Sequence, residues 1–198
     1  MIVWINGAFG VGKTTAAFGL HRRLPNSFVY DPENIGYFIR RNAPEGFSKG
    51  DFQDIPLWRG GNYEMLKMIS EQFDGTVIVP MTLVDPVYFA EIVGRLREDG
   101  IEIKHFILGA SKETILKRLR FRLSRIFGGD NFAVQSIERC LYSFENYVTE
   151  GIIDTDNLDA ESVVEEIAVS CGLSLVKNRR PRFLRFIQRY WTLLKHIR

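Results

Sequence analysis

The residues best suited to chemistry form one short glycine-rich segment near the start of the chain. Residues 7–14 match the pattern G-x-x-x-x-G-K-[ST], which in this chain is Gly7, Ala8, Phe9, Gly10, Val11, Gly12, Lys13 and Thr14. Glycines let the backbone turn so that successive N–H groups point at phosphate oxygens. The lysine can meet the terminal phosphates of a nucleotide, and the hydroxyl after it can bind Mg²⁺. The segment therefore predicts a phosphate-binding loop in which Thr14 is the metal ligand.

The chain around this loop alternates between strand and helix patterns. An apolar run at 2–5 precedes the loop, and a helical pattern from 13 to 24 follows it and stops before Pro25. Four further apolar runs of strand type lie at 28–30, 76–79, 103–108 and 152–153, with helical segments between them. Strands joined by helices form a parallel sheet covered on both faces. The sequence thus predicts an α/β fold of the P-loop kinase-like class.

The nucleotide and the class of P-loop protein follow from what accompanies the loop. No asparagine is followed by lysine, so the N-K-x-D signature of a guanine-specific switch is missing and ATP is the predicted nucleotide. Motor ATPases usually end their third strand with an acid, whereas residues 79–82 here are VPMT. Thr82 either binds Mg²⁺ through water or only ends the strand.

The second strand ends at an acid, Asp31. In this the chain resembles the small P-loop kinases, such as shikimate and gluconate kinases and chloramphenicol phosphotransferase, whose aspartate at this place faces the acceptor hydroxyl. By that resemblance Asp31 is the candidate catalytic base. The alternative is that Asp31 caps the turn that begins at Pro32.

A basic helix provides a second kinase-like feature. Arg118, Arg122 and Arg125 fall at helical spacing on one face of the segment 117–125. In small P-loop kinases an arginine-rich lid closes over the phosphates and the adenine face of ATP. Arg118 and Arg122 are therefore predicted to act in catalysis beside Lys13 and Asp31. The alternative is a solvated basic face.

Residues 51–63 lie between the second and third strands, where small kinases bind the acceptor. This segment contains Trp58, Arg59 and Tyr63. Aromatic rings beside an arginine suit a ring-bearing or anionic substrate. An equally good interpretation places Trp58 and Tyr63 in the core of a helical insert.

Taken together, these segments resemble one family in particular, the ATP-binding tunicamycin-resistance proteins of bacteria. The resemblance covers almost the whole chain and includes WINGAFG at 4–10, GKT at 12–14 and VYDPE at 29–33. It continues in short strings at 21–24, 51–53, 56–59, 79–82, 110–114 and 155–158. The family is described as ATP-binding and membrane-associated, and as conferring resistance to tunicamycin, a lipid-tailed uridine antibiotic.

The resemblance implies a phosphotransferase acting on a nucleoside-type antibiotic, or an ATP-dependent binder of it. ATP and Mg²⁺ are the expected cofactors, and a small molecule such as tunicamycin is the expected substrate. Two alternatives stay open: a small-molecule kinase with an unrelated substrate, and a non-catalytic ATP-binding module at a membrane surface.

The end of the chain differs in charge from the rest. Residues 177–198 hold eight of the 26 basic residues and no acid, whereas the remainder carries 18 bases and 24 acids. The sequence therefore predicts a nucleotide-binding domain at 1–175 and a basic amphipathic tail at 176–198. Without a membrane-spanning run or a signal peptide, the expected location is the cytoplasm, with the inner face of the cell membrane as a peripheral alternative. No nucleic-acid partner is expected, because the basic residues belong to no known binding module.

The predicted helix of the tail has one apolar side. Its apolar residues recur at steps of three and four: Phe183, Phe186, Ile187, Tyr190, Trp191, Leu194 and Ile197. Arginines occupy the opposite side, which is typical of a helix lying on an anionic membrane surface. Residues 181–198 are therefore expected to meet such a surface. Packing on the protein's own core and contact with a second subunit are the other possibilities.

Overall fold

The computed structural model describes residues 1–44, 50–120, 131–147 and 151–178. Five strands form one parallel sheet in the order β2-β3-β1-β4-β5. The strands are β1 (Ile2–Gly7), β2 (Ser27–Val29), β3 (Thr76–Pro80), β4 (Ile103–Gly109) and β5 (Ile152–Asp154). The α/β fold of the P-loop kinase-like class is thus confirmed.

Helices cover both faces of the sheet. They are α1 (Lys13–Arg23), α2 (Glu33–Asn42), α3 (Pro56–Gln72), α4 (Pro86–Phe89), α5 (Arg95–Glu98), α6 (Lys112–Arg120), α7 (Asn131–Asn146) and α8 (Ala160–Ser170). A 3₁₀ turn, Phe52–Asp54, precedes α3, and a π-helical segment, Ala90–Gly94, joins α4 to α5. Asp159 caps α8 by accepting the backbone amide of Ser162 at 2.8 Å.

The central strand β1 shows why the sheet is buried on both sides. Ile2 and Trp4 pack into a core shared with α2, α3 and α5, whereas Val3 and Ile5 pack into a second core shared with α1 and α8. Successive side chains of a strand point to opposite faces, so an unbroken apolar run serves both cores. Because all five strands run parallel, their carboxyl ends meet at one edge of the sheet, where the loops that follow them lie.

None of the helices in the described ranges has the length and apolar character needed to cross a membrane. Arg122, Arg125 and the tail residues 181–198 lie outside the described residues, so the helix predicted for that tail and the boundary at 175 stay predictions.

Candidate functional site

The phosphate-binding loop lies between β1 and α1, at the carboxyl end of the central strand. Its glycines adopt conformations that other residues rarely take, with φ of +137° at Gly7, +84° at Gly10 and +118° at Gly12. A Cβ at Gly7 would lie 2.6 Å from the carbonyl oxygen of Leu108, so this position has no space for a side chain. At Gly12, no atom of the described chain lies within 4 Å of an added Cβ, which leaves that side of the loop open.

Helix α1 presents its amino end to the loop without a competing anion. Gly12 precedes the helix and gives no side-chain cap, and the first turn contains no acidic residue. The unsatisfied N–H groups and the helix dipole therefore favour a bound anion. Among the described residues, no group of three His, Cys, Asp or Glu side chains is placed to hold a metal ion. Mg²⁺ at such loops takes few protein ligands, and phosphate and water oxygens complete its coordination. The Thr14 hydroxyl is suited to be one of these protein ligands.

Lys13 is held against the loop that precedes it. Its Nζ donates to the carbonyl oxygens of Gly7 at 2.8 Å and Ala8 at 3.0 Å. The same ammonium lies 5.4 Å from the centre of the Phe9 ring. These contacts fix a positive charge over the loop, where it can meet phosphate oxygens.

The loop is joined to the chain that follows β3 by a fully buried side chain, Asn6. Its Oδ1 accepts the backbone amides of Gly7 and Leu83, both at 2.9 Å, and its Nδ2 donates to the Leu83 carbonyl at 2.8 Å. Nδ2 also lies 3.3 Å from Nε2 of His105 on β4. The side-chain amide of Asn6 thus connects β1, the segment after β3, and β4.

Truncating Asn6 to alanine is expected to lower the free energy of unfolding by about 2–4 kcal/mol, because buried backbone groups of Gly7 and Leu83 lose their partners. Urea denaturation of the variant and the wild type measures this difference. Asn42→Ala is the matched control, since the exposed Asn42 amide bonds only the Phe38 carbonyl of its own helix in the described structure. Equal losses in both variants would contradict a bridging role for Asn6.

Asp31 lies two residues beyond the end of β2, at the same edge of the sheet. Its Oδ1 accepts the backbone amide of Glu33 at 3.1 Å and so caps α2. No hydrogen bond to a described residue engages its Oδ2. Because β3 separates β2 from β1, the two strands lie about 10 Å apart across the sheet, which is two interstrand spacings, and the register aligns Val29 with Val3 through Ile78. Capping therefore uses one oxygen of the carboxylate, and the other oxygen is available to a substrate.

Arg118 joins the phosphate-binding loop to the segment after β5. Its Nη1 donates to the Val11 carbonyl and to the Thr155 hydroxyl, both at 2.9 Å, and its Nη2 donates to the Thr155 carbonyl at 2.7 Å. Thr155 is itself buried and donates its hydroxyl to the Gly109 carbonyl at 2.8 Å. Arg118 therefore links the phosphate-binding loop to the segment after β5 by hydrogen bonds.

The loop after β5 also supports the start of α6. Both carboxylate oxygens of Asp156 accept the backbone amide of Ser111, at 3.0 and 3.1 Å. This backbone hydrogen bond is the main cause that lowers the pKa of the Asp156 carboxyl. The bonded pair keeps residues 154–157 close to the start of α6.

The segment between β2 and β3 forms the opposite side of the site. Trp58 is fully buried and donates its Nε1 to the Pro32 carbonyl at 3.0 Å, and Tyr63 is buried in the same core. Trp58 and Tyr63 therefore lie in the core of a helical insert, which was the second of the two interpretations of this segment. Arg59 is also buried, with its Nε 2.5 Å from Oε2 of Glu91 and its guanidinium 4.3 Å from the centre of the Tyr88 ring.

Known proteins share this arrangement. A family model described as an AAA domain matches residues 2–145. The tunicamycin resistance protein of Deinococcus radiodurans is 34% identical, with a TM-score of 0.74, and the match covers 89% of this chain and 99% of that chain. The chain belongs to the tunicamycin-resistance family of AAA-domain P-loop proteins. No curated protein matches it.

More distant structures share the fold of this family. A sugar kinase from Janibacter is 20% identical, with a TM-score of 0.60, covering 87% of this chain and 95% of its own. The shikimate kinase of Bacteroides thetaiotaomicron is 21% identical, with a TM-score of 0.59, covering 87% of this chain and 99% of its own. These two likenesses show that the chain has a kinase-like fold.

The sequence did not predict the roles of three residues that hold the site together. Asn6, Gln53 and Thr155 each bond a residue that is distant along the chain. A polar side chain at the end of an apolar strand was the available signal for Asn6, since a buried amide needs partners. Gln53 and Thr155 lie in polar segments that give no such signal.

Proposed function

We propose that this chain is an ATP-dependent phosphotransferase that phosphorylates a hydroxyl of a nucleoside-type antibiotic such as tunicamycin. The observation that carries the proposal is the pairing of two features at one sheet edge. The phosphate-binding loop follows β1, and the carboxylate of Asp31, with one oxygen left for a substrate, follows β2. The family relationship to a tunicamycin resistance protein supports the choice of drug.

In this reaction, the acceptor hydroxyl oxygen forms a bond to the γ-phosphorus while the bond between that phosphorus and the β–γ bridging oxygen breaks. ADP leaves with the bridging oxygen, and Asp31 takes the proton of the hydroxyl. The loop amides and Lys13 would bind the phosphates, and Thr14 would hold Mg²⁺, which would supply positive charge against that of the phosphates. Little covalent help is needed, so the main task of the protein is to position donor and acceptor.

The test is mass spectrometry of tunicamycin after incubation with the full-length protein, ATP and Mg²⁺. A gain of one phosphate is the expected result. An unchanged drug would refute the phosphotransferase proposal, and calorimetry with the same drug would then show whether ATP-dependent binding takes its place.

We further propose that residues 181–198 of the basic tail hold the protein at an anionic membrane surface. Its arginines and its aromatic residues suit the headgroup region, where each Lys or Arg contributes about 1 kcal/mol. The described chain ends beside α1 and α8. The Val176 amide donates to the Arg23 carbonyl, and the Val176 carbonyl accepts Nε of Arg23. Asn178 donates its Nδ2 to the Glu161 carboxylate.

Full-length protein is expected to sediment with phosphatidylglycerol vesicles, whereas a 1–178 truncation stays in solution because it lacks the tail. The truncation keeps the contacts of Val176 and Asn178, so a loss of binding reports on the tail alone. A full-length variant with Arg185 and Arg189 changed to glutamine separates charge from apolar insertion. Equal sedimentation of the wild type and the truncation would refute the membrane proposal.

A further inference from the structure

The carbonyl oxygen of Gly7, at the entrance of the phosphate-binding loop, accepts two hydrogen bonds. One comes from Lys13 Nζ at 2.8 Å, and the other comes from the hydroxyl of Thr82 at 2.9 Å. A carbonyl has two lone pairs, so both donors are accommodated. The nucleotide-binding lysine and a threonine 75 positions from Gly7 therefore share one atom.

Thr82 is in turn held by residues of the acceptor side. Its carbonyl accepts Nε2 of Gln53 at 3.0 Å, and the Gln53 carbonyl accepts Nη1 of Arg59 at 2.6 Å. All three of these side chains are at least nine-tenths buried, with exposed fractions of 4%, 7% and 9%. A series of hydrogen bonds thus runs through the interior from Arg59 on α3, through Gln53 and Thr82, to the phosphate-binding loop.

The two acceptor-side members of this series of bonds, Gln53 and Arg59, are themselves fixed. The backbone N–H of Gln53 donates to Oδ1 of Asp51 at 3.0 Å, and Asp51 in this way caps the 3₁₀ turn. Arg59 is paired with Glu91, which lies on the π-helical segment Ala90–Gly94. Such segments are frequent at functional sites. Thr82 is therefore held from the acceptor side by residues that have fixed partners of their own.

We propose that Thr82 is a positioning residue that orients Lys13 through the carbonyl of Gly7, and that Gln53 and Arg59 couple this position to the acceptor side. The inference rests on the nucleotide binding of the proposed function. The Thr82 hydroxyl fixes the direction of the Gly7 carbonyl, and that carbonyl fixes the ammonium over the loop. A hydroxyl in this place serves Lys13 and need not touch Mg²⁺.

The test is ATP titration of the full-length wild type and of two variants, Thr82→Val and Thr82→Ser. Valine has the same shape as threonine without the hydroxyl, so ATP affinity is expected to fall about fivefold to tenfold. Serine keeps the hydroxyl and is expected to stay within about twofold of the wild type. The Tm of the nucleotide-free protein is measured for each variant and is expected to change little, because Lys13 still bonds the Gly7 carbonyl.

Each result decides between the alternatives. A valine variant that binds ATP as tightly as the wild type would overturn the inference, and so would equal losses in the valine and serine variants. If Thr82→Val does not fold, Gln53→Leu is titrated instead, since it removes only the side-chain bond to Thr82. Wild-type affinity in Gln53→Leu then overturns the coupling, and weaker binding supports it. A wild type that binds no ATP would refute the proposed function itself.

Discussion

Changing Lys13 to alanine is expected to weaken ATP binding about 10- to 150-fold, because a charge-assisted hydrogen bond to phosphate contributes about 1.5–3 kcal/mol. The ammonium also holds the Gly7 and Ala8 carbonyls at 2.8 and 3.0 Å, so its loss loosens the loop as well. Isothermal titration calorimetry with ATP and Mg²⁺ measures the change.

Lys67→Ala is the control for this experiment. Lys67 pairs with Asp99 at 3.0 Å on the face where α3 meets α5, away from the loop. Its removal is expected to leave ATP affinity within about twofold of the wild type, as is usual for surface charges. Normal ATP binding by the Lys13 variant would contradict the assignment of residues 7–14 as the nucleotide site.

Asp31→Asn is expected to slow phosphorylation of the drug about 100-fold or more and to leave ATP affinity unchanged. Removing a general base typically costs this much in rate, and Asp31 makes no hydrogen bond to the phosphate-binding loop in the described structure. Asparagine still offers an oxygen to the amide of Glu33, so the cap of α2 is retained. Product formation is followed by mass spectrometry, and ATP binding by calorimetry.

The matched control is Asp74→Asn, at an exposed carboxylate before β3, on the edge of the sheet remote from the site. Its phosphorylation rate is expected to equal that of the wild type. If Asp31→Asn phosphorylates the drug at the wild-type rate, capping α2 is the whole role of Asp31, and the base must be sought elsewhere.

The sequence predicted the strands of the sheet well, because a parallel sheet requires buried apolar runs that stand out locally. The run at 2–5 became β1, and the run at 103–108 became β4, with shifts of one or two residues at the ends. The sequence did not predict the π-helical segment at 90–94. Its placement depends on contacts with α3, such as the pair of Arg59 and Glu91, and local patterns carry no information on these.

The candidate site divides in the same way. The phosphate-binding loop is a local motif, so its residues were identified from the sequence alone. The contacts that orient the loop join residues far apart in the chain, as in the bonds from Thr82 to Gly7 and from Arg118 to Val11. Only the order of the strands brings such residues together, and this order cannot be inferred from one sequence pattern.

The strand order also has an evolutionary consequence. The chain leaves the sheet after Val29 and returns to it at Thr76, so the entire acceptor side, from Asp31 to α3, is one continuous excursion from the sheet. The phosphate-binding loop lies outside this stretch, but Gln53 and Arg59 within it bond Thr82 and Glu91 beyond it. A relative that exchanged residues 30–75 for those of a sugar kinase would therefore keep the orientation of Lys13 only if the incoming stretch supplied equivalent bonds.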